Sequence, residues 1–280
     1  MALAEFKEAI SLLGKLPVLW IPGVVAGVLA AALWILLDIS GTFFTSRLLV
    51  VALLVVLLFI AGMLAIVRKG EGGARSLLVE GGRYYFRVLL PQLVIVCASM
   101  IAFVMLIVMV TLVIGSTPDI GIMSVIWFCI AIPVLFLTFF YDTAAVFEDL
   151  RVFDSIRRSI TLAATHISKV ISFFLVCAAF CFVVVFGLMV IWEAFLYDRL
   201  QPLTTYNETQ IASFNPDQLV ALIGPGGMWI TAIVIFFGIL VLLPVLMTYK
   251  ACFFRKIAGR PSVIQQQPGE YDSKGRYYKY

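Results

Sequence analysis

The sequence predicts an all-α integral membrane protein of six transmembrane helices, paired as three hairpins that each follow a cytoplasmic amphipathic segment. Three observations lead there. Hydrophobic residues fill 63% of the 280 positions and charged ones 13%, about half the charged share of a soluble domain, and the mean hydropathy is +1.09. Uncharged apolar runs of about twenty residues recur along the chain, each long enough to cross a hydrocarbon core of about 30 Å. With no water there to satisfy backbone groups, such runs are helices. Finally, Lys and Arg gather in the connections on one side of these runs.

In chain order, residues 1–15 place Phe6, Ile10 and Leu13 on one helical face. Glu5 and Glu8 stand where a secretory leader is basic, and the apolar run that follows outlasts a leader's, so the segment is expected to be retained. Spans are expected at about 17–38 and 48–67, separated by the loop DISGTFFTSR. The connection RKGEGGARSLLVEGGRYYFR is glycine-rich and reads as a poor helix. Spans at about 88–115 and 120–147 form a hairpin turned at Ser116-Thr-Pro-Asp.

Glu148–Lys169 is the clearest surface helix. Phe153, Ile156, Ile160, Ala163, Ala164 and Ile167 fall on one side, and Arg151, Arg158 and Lys169 on the other. Such a helix lies along a bilayer, its apolar side in the acyl boundary and its basic side among anionic headgroups. The last spans, about 170–195 and 227–252, flank the one sizeable loop, 193–226. There Asn215-Pro-Asp reads as the N-cap of a short helix over Gln218–Ile223 that stops at Gly224-Pro-Gly, and Asn207-Glu-Thr matches a glycosylation sequon. Residues 1–259 form the membrane domain, and the polar tail 260–280 is expected to be disordered.

Eighteen of the twenty basic residues fall on the side of the two termini, and only Arg47 and Arg199 on the other. The positive-inside rule puts both termini in the cytoplasm and the 193–226 loop outside a cell membrane. Trp34, Trp127, Trp192 and Trp229 then mark the outer interface, and Trp20 with Tyr84–Tyr85 the inner one. The three units also align in part. Lys15-Leu-Pro-Val matches Tyr85-Phe-Arg-Val and Ile167-Ser-Lys-Val, while Pro133-Val-Leu-Phe matches Pro244-Val-Leu-Met, with Tyr141 and Tyr249 following. Common ancestry and the shared grammar of membrane hairpins both account for this. Pro133 and Pro244 each remove a backbone donor and are expected to kink their spans, for packing or to line a cavity.

The candidate residues are few. Asp142, at the end of the fourth span, is costly in a membrane; an ion pair with Arg151, Arg157 or Arg158 is its expected structural role, and a functional intramembrane carboxylate the alternative. Arg151, Arg157, Arg158 and Lys169 are the candidate contacts for lipid headgroups or a partner. His166 reads as a headgroup contact or a solvated residue. With one His and no CxxC among five cysteines, a structural zinc site lacks ligands, and Cys177 and Cys181 read as small packing residues.

The run Ala144-Ala-Val-Phe-Glu-Asp-Leu-Arg-Val-Phe-Asp-Ser-Ile-Arg-Arg-Ser-Ile-Thr-Leu resembles a pattern in one group of membrane domains. These are the multi-span domain that precedes some bacterial glycerophosphodiester phosphodiesterases, and related uncharacterised six-span proteins of bacteria and archaea. Glu148-Asp149, Phe153, Ile156 and Arg157-Arg158-Ser159 occupy the pattern's positions. Within these 280 residues no phosphodiesterase barrel follows, and one His cannot supply its histidine-based site. The resemblance implies a membrane module with no catalysis attached.

The reading is a protein without enzymatic chemistry or cofactor, serving as a scaffold or as a module engaging anionic lipids, a protein partner or a second copy, and not nucleic acid. A small-molecule or lipid transporter or channel is the other reading. It needs a polar path, whereas the first two spans hold almost nothing polar and the fifth only Ser172 before its outer end. A lipid-modifying enzyme using Asp142 and His166 comes third.

Overall fold

The computed structural model describes residues 2–115, 119–202, 216–259, 270–271 and 277–278. It is helical almost throughout: α1 (Ala2–Lys15), a 3-10 turn at Pro17–Trp20, α2 (Ile21–Lys69), α3 (Ala74–Ile114), α4 (Ile120–Thr138), α5 (Tyr141–Phe147), α6 (Val152–Thr165), α7 (Ile167–Leu200) and α8 (Pro216–Ile257). Within the tail, Glu270–Tyr271 and Tyr277–Tyr278 pair antiparallel; the rest of the stretch expected to be disordered, like the Asn207 sequon and Asn215, lies outside the described residues.

Five helical stretches are long and apolar enough to cross a membrane, beginning with one of 53 residues, Pro17–Lys69. A straight helix of that length would run about 80 Å, more than twice a hydrocarbon core. It is not straight: Gly41 leaves helical geometry (φ 72°, ψ 178°), a backbone that only glycine adopts freely. Leu19 at its start and Met63–Val67 at its end belong to one buried cluster. The loop expected at 38–47 is thereby corrected to helix on both sides of a single broken residue. Ser40 Oγ donates to the Leu36 carbonyl and Thr45 Oγ1 to that of Gly41, so the hydroxyls that marked a loop bond back to the helix instead.

The glycine-rich connection is corrected as well, because α3 runs unbroken from Ala74 through Gly81-Gly82 into the apolar segment. Its glycines serve close packing. A Cβ on Gly62 of α2 would stand 2.1 Å from the Leu77 carbonyl oxygen, and one on Gly81 2.5 Å from that of Leu58. Gly23 and Gly27, spaced as G-x-x-x-G, do the same against α8, with Cβ positions 2.7 and 2.9 Å from the Leu240 and Phe236 carbonyl oxygens. Tight backbone approach of this kind holds the part of α2 before Gly41 against α8 and the part after it against α3.

The expected 120–147 span divides into α4 and α5 at Phe139–Phe140. Pro133 and Pro244 lie inside helices whose backbone stays helical at both positions; the departures are at Gly41 and at Gly224 (φ 61°, ψ −176°), which ends the short helix foreseen over residues 218–223. Arg199 donates to the Ile223 carbonyl at that break. Nearby, Leu196, Ile223 and Met228 are buried with Trp34 and Trp192 around them, and Trp192 Nε1 donates to Thr231 Oγ1 at 2.8 Å.

Large apolar side chains remain uncovered along α3, α4 and α7, with Val113 85% and Leu175 66% exposed. Uncovered apolar surface on this scale belongs to a protein immersed in lipid. The chain has the character of a multi-pass membrane protein.

Candidate functional site

The ion pairs among the described residues all lie at one end of the bundle, on α1, α5, α6, the end of α2, the start of α3 and the end of α8. The turn between α5 and α6 is their hub. Asp149 sits in left-handed backbone (φ 53°), and its carboxylate takes Arg68 of α2 and Arg87 of α3, each at 2.9 Å. Arg68 also donates to the Val146 carbonyl at 2.6 Å and to Tyr84 Oη at 3.1 Å. Burial alone would raise the Asp149 pKa, but hydrogen bonds from Arg68 and Tyr84 and the charges of Arg68 and Arg87 outweigh it and hold the carboxyl below the usual range.

Its neighbour Glu148 turns to a different helix. Arg158 of α6 grips both Glu148 oxygens, at 3.0 to 3.1 Å, and its Nη2 also reaches the Ala258 carbonyl beyond α8 at 3.1 Å. Arg158, expected on the free basic face, is therefore turned inward with its side chain 12% exposed. Ser159 closes the α4–α5 break: its Oγ donates to the Leu137 carbonyl at 2.8 Å and accepts from Phe140 N at 3.0 Å, pairing groups that a broken helix leaves over. Ser155, Ser159, Leu162 and Ala163 are the buried side of α6. Hydropathy does not single out this face, since half of it is serine.

Asp142 is paired, but not with the arginines expected. Lys250 of α8 lies 2.7 Å from each of its carboxylate oxygens, and the two side chains are only 6% and 5% exposed. Thr143 N donates to Oδ1 at 2.6 Å, and the Lys250 ammonium stands 4.3 Å from the centre of the Phe139 ring. The pair sits in an aromatic core with Phe140, Phe173, Phe253 and Tyr249. The arginines are unavailable because Arg158 serves Glu148, while Arg151 and Arg157 face outward. Lys250 had a sequence signal: it is the lone cation in a long apolar run, and it follows Tyr249 as Asp142 follows Tyr141. Nothing in the spacing of Arg68 and Glu5 marks them, and Ser159, a position of the resembled pattern, carries no sign there of its part in closing the helix break.

Arg151, Arg157 and Lys169 are exposed, and so are Phe153, Ile160 and Ile167 of the same stretch. His166 marks the α6–α7 junction, half-buried, its Nδ1 3.0 Å from Thr165 Oγ1. On the far side of this end, α1 docks on α8, with Glu8 on Arg255 and Glu5 on Lys256. Between α1, the start of α7 and the end of α8 opens a cavity of about 630 Å³; a second, of about 420 Å³, lies between α2 and α3. Neither is lined by Asp142. Among the described residues no three of His, Cys, Asp or Glu are grouped to share a metal ion.

The fold and this end define a helical multi-pass membrane protein tied at one charged face. No protein-family model, curated protein or solved structure matches the chain.

Proposed function

We propose that this is a six-span, non-enzymatic membrane module whose charged end faces the cytoplasm of a cell and engages anionic lipid headgroups, with a protein partner or second copy as a further contact. The count of six takes Gly41 as the outer turn of a hairpin, since Leu19 and Met63–Val67 share one cluster. It also fits the resemblance of the Glu148–Ser159 pattern to the membrane domains beside bacterial glycerophosphodiester phosphodiesterases.

The observation that carries the reading is the division of cations at this end. Arg68, Arg87, Arg158 and Lys250 are spent on carboxylates of the fold, whereas Arg151, Arg157 and Lys169 stand exposed on a stretch whose Phe153, Ile160 and Ile167 are exposed as well. Apolar side chains and cations exposed on one amphipathic stretch match a helix lying at the level of headgroups, where each cation near an anionic surface contributes about 1 kcal/mol.

The test is the lipid selectivity of the protein boundary. In nanodiscs of mixed phosphatidylcholine and phosphatidylglycerol, spin-labelled anionic lipid is expected to be enriched around the protein and the enrichment to weaken with salt. Arg151→Gln with Arg157→Gln and Lys169→Gln should abolish it while the fold, followed by circular dichroism, is kept. Undiminished enrichment in the triple variant would remove the reading.

One observation favours transport instead: the buried Asp142–Lys250 pair, since ionisable groups at membrane depth mark ion paths. Against it stands the burial of the pair, both side chains at most 6% exposed and the Lys250 ammonium packed over the Phe139 ring.

A further inference from the structure

The 630 Å³ cavity has its polar groups gathered at its rim, where Ala2, Leu3 and Ile257 stand among them, and only apolar side chains deeper along α7. Its polar rim holds Ser168 and Lys169 from the first turn of α7, Ser172 one turn on, and Lys256 from the last turn of α8. Leu175 and Val176, six and seven residues beyond Lys169, line it about 10 Å deeper along α7, and Phe253, a turn before Lys256 on α8, is also on its wall. Such a gradient suits an amphiphile with its headgroup at the rim and its first methylenes below.

Charge and hydrogen bonding narrow the headgroup. Glu5 and Lys256 pair and neutralise each other, which leaves Lys169 as the uncompensated cation of the rim among the described residues. Glu5 lines the cavity with its side chain 3% exposed, and its second oxygen, Oε2, is buried without a hydrogen-bond partner among the described residues. Burial works to raise the Glu5 pKa, but the hydrogen bond and charge of Lys256 hold it below the usual range, so the group stays an acceptor. An orphaned buried acceptor needs a donor.

We propose that this cavity binds one glycerophospholipid of the phosphatidylglycerol type, its singly charged phosphodiester on Lys169 and a headgroup hydroxyl donating to Glu5 Oε2. The assignment rests on the lipid-engaging reading only in placing this end at headgroup level.

Native mass spectrometry of the full chain, carried in phosphatidylcholine with phosphatidylglycerol or phosphatidylmethanol of the same acyl chains, tests it. Phosphatidylmethanol keeps the phosphodiester charge and lacks the hydroxyl. Retention of phosphatidylglycerol is expected to exceed that of phosphatidylcholine about tenfold, the worth of one charged contact, with phosphatidylmethanol between them. Lys169→Gln should erase the preference over phosphatidylcholine, and Ser172→Trp, which fills the rim without changing charge, should release the lipid from a folded protein. Equal retention of phosphatidylmethanol and phosphatidylglycerol by the wild type would overturn the proposal, as would undiminished phosphatidylglycerol on the Ser172→Trp variant. Failure of the surface reading looks different: boundary enrichment would persist in Arg151→Gln/Arg157→Gln/Lys169→Gln whatever this one site retains.

Discussion

Glu148 and Asp149 are adjacent in sequence yet hold different helices, one through Arg158 and the other through Arg68 and Arg87. Asp142 extends the same set of ties to α8 through Lys250, and there burial raises the stakes. Two charges at 5–6% exposure have surrendered most of their hydration, so removing one strands the other. Asp142→Leu or Lys250→Met alone is expected to cost about 3–5 kcal/mol in denaturant unfolding in micelles, and the double variant to recover most of it. Single variants as stable as the wild type would show that the pair is not dry. That Asp142 carries a structural partner could be read from its cost in an apolar run. Which cation serves it could not, because the choice depends on α8 passing behind α5, a contact 108 residues away along the chain.

At the scale of elements, each apolar run of the sequence falls within a long helix, two of them within α2, since length and lack of charge leave the backbone no other solution in lipid. Boundaries were harder. Glycine, serine and threonine suggest a loop at 38–47 and a poor helix over 68–87, whereas tertiary packing uses their small size or bonds their hydroxyls back to helix carbonyls. Gly81 and Gly82 separate the two roles. A Cβ on Gly81 would meet the Leu58 carbonyl oxygen at 2.5 Å, whereas nothing lies within 4 Å of one on Gly82. Gly81→Ala is therefore expected to destabilise the α2–α3 pair by about 1–3 kcal/mol. Gly82→Ala should be neutral or slightly stabilising, by the ordinary helix gain of about 0.5–1 kcal/mol. Thermal unfolding of the two variants side by side gives the comparison; equal effects would mean that the close approach at Gly81 is not what holds α3 there.

At the scale of the whole molecule, the gathering of cations in the sequence matches a single end where the ion pairs, α1, α5 and α6 all lie. Composition could locate that end but not apportion its charges between internal ties and outward contacts, because pairing depends on which helices meet. Arg158 and Arg157 make the point: neighbours of one type, one inside the knot and one outside it. The placing of this end in the cytoplasm, with Gly41 at the opposite face, is the claim on which the lipid contacts depend. Impermeant maleimide labelling in a cysteine-free background addresses it with Ser40→Cys beside the Gly41 break and Glu71→Cys between α2 and α3. Six crossings with an internal charged end require Ser40→Cys to react on intact cells and Glu71→Cys to react only after permeabilisation; labelling of both from the same side, or of Glu71→Cys from outside, would contradict that threading.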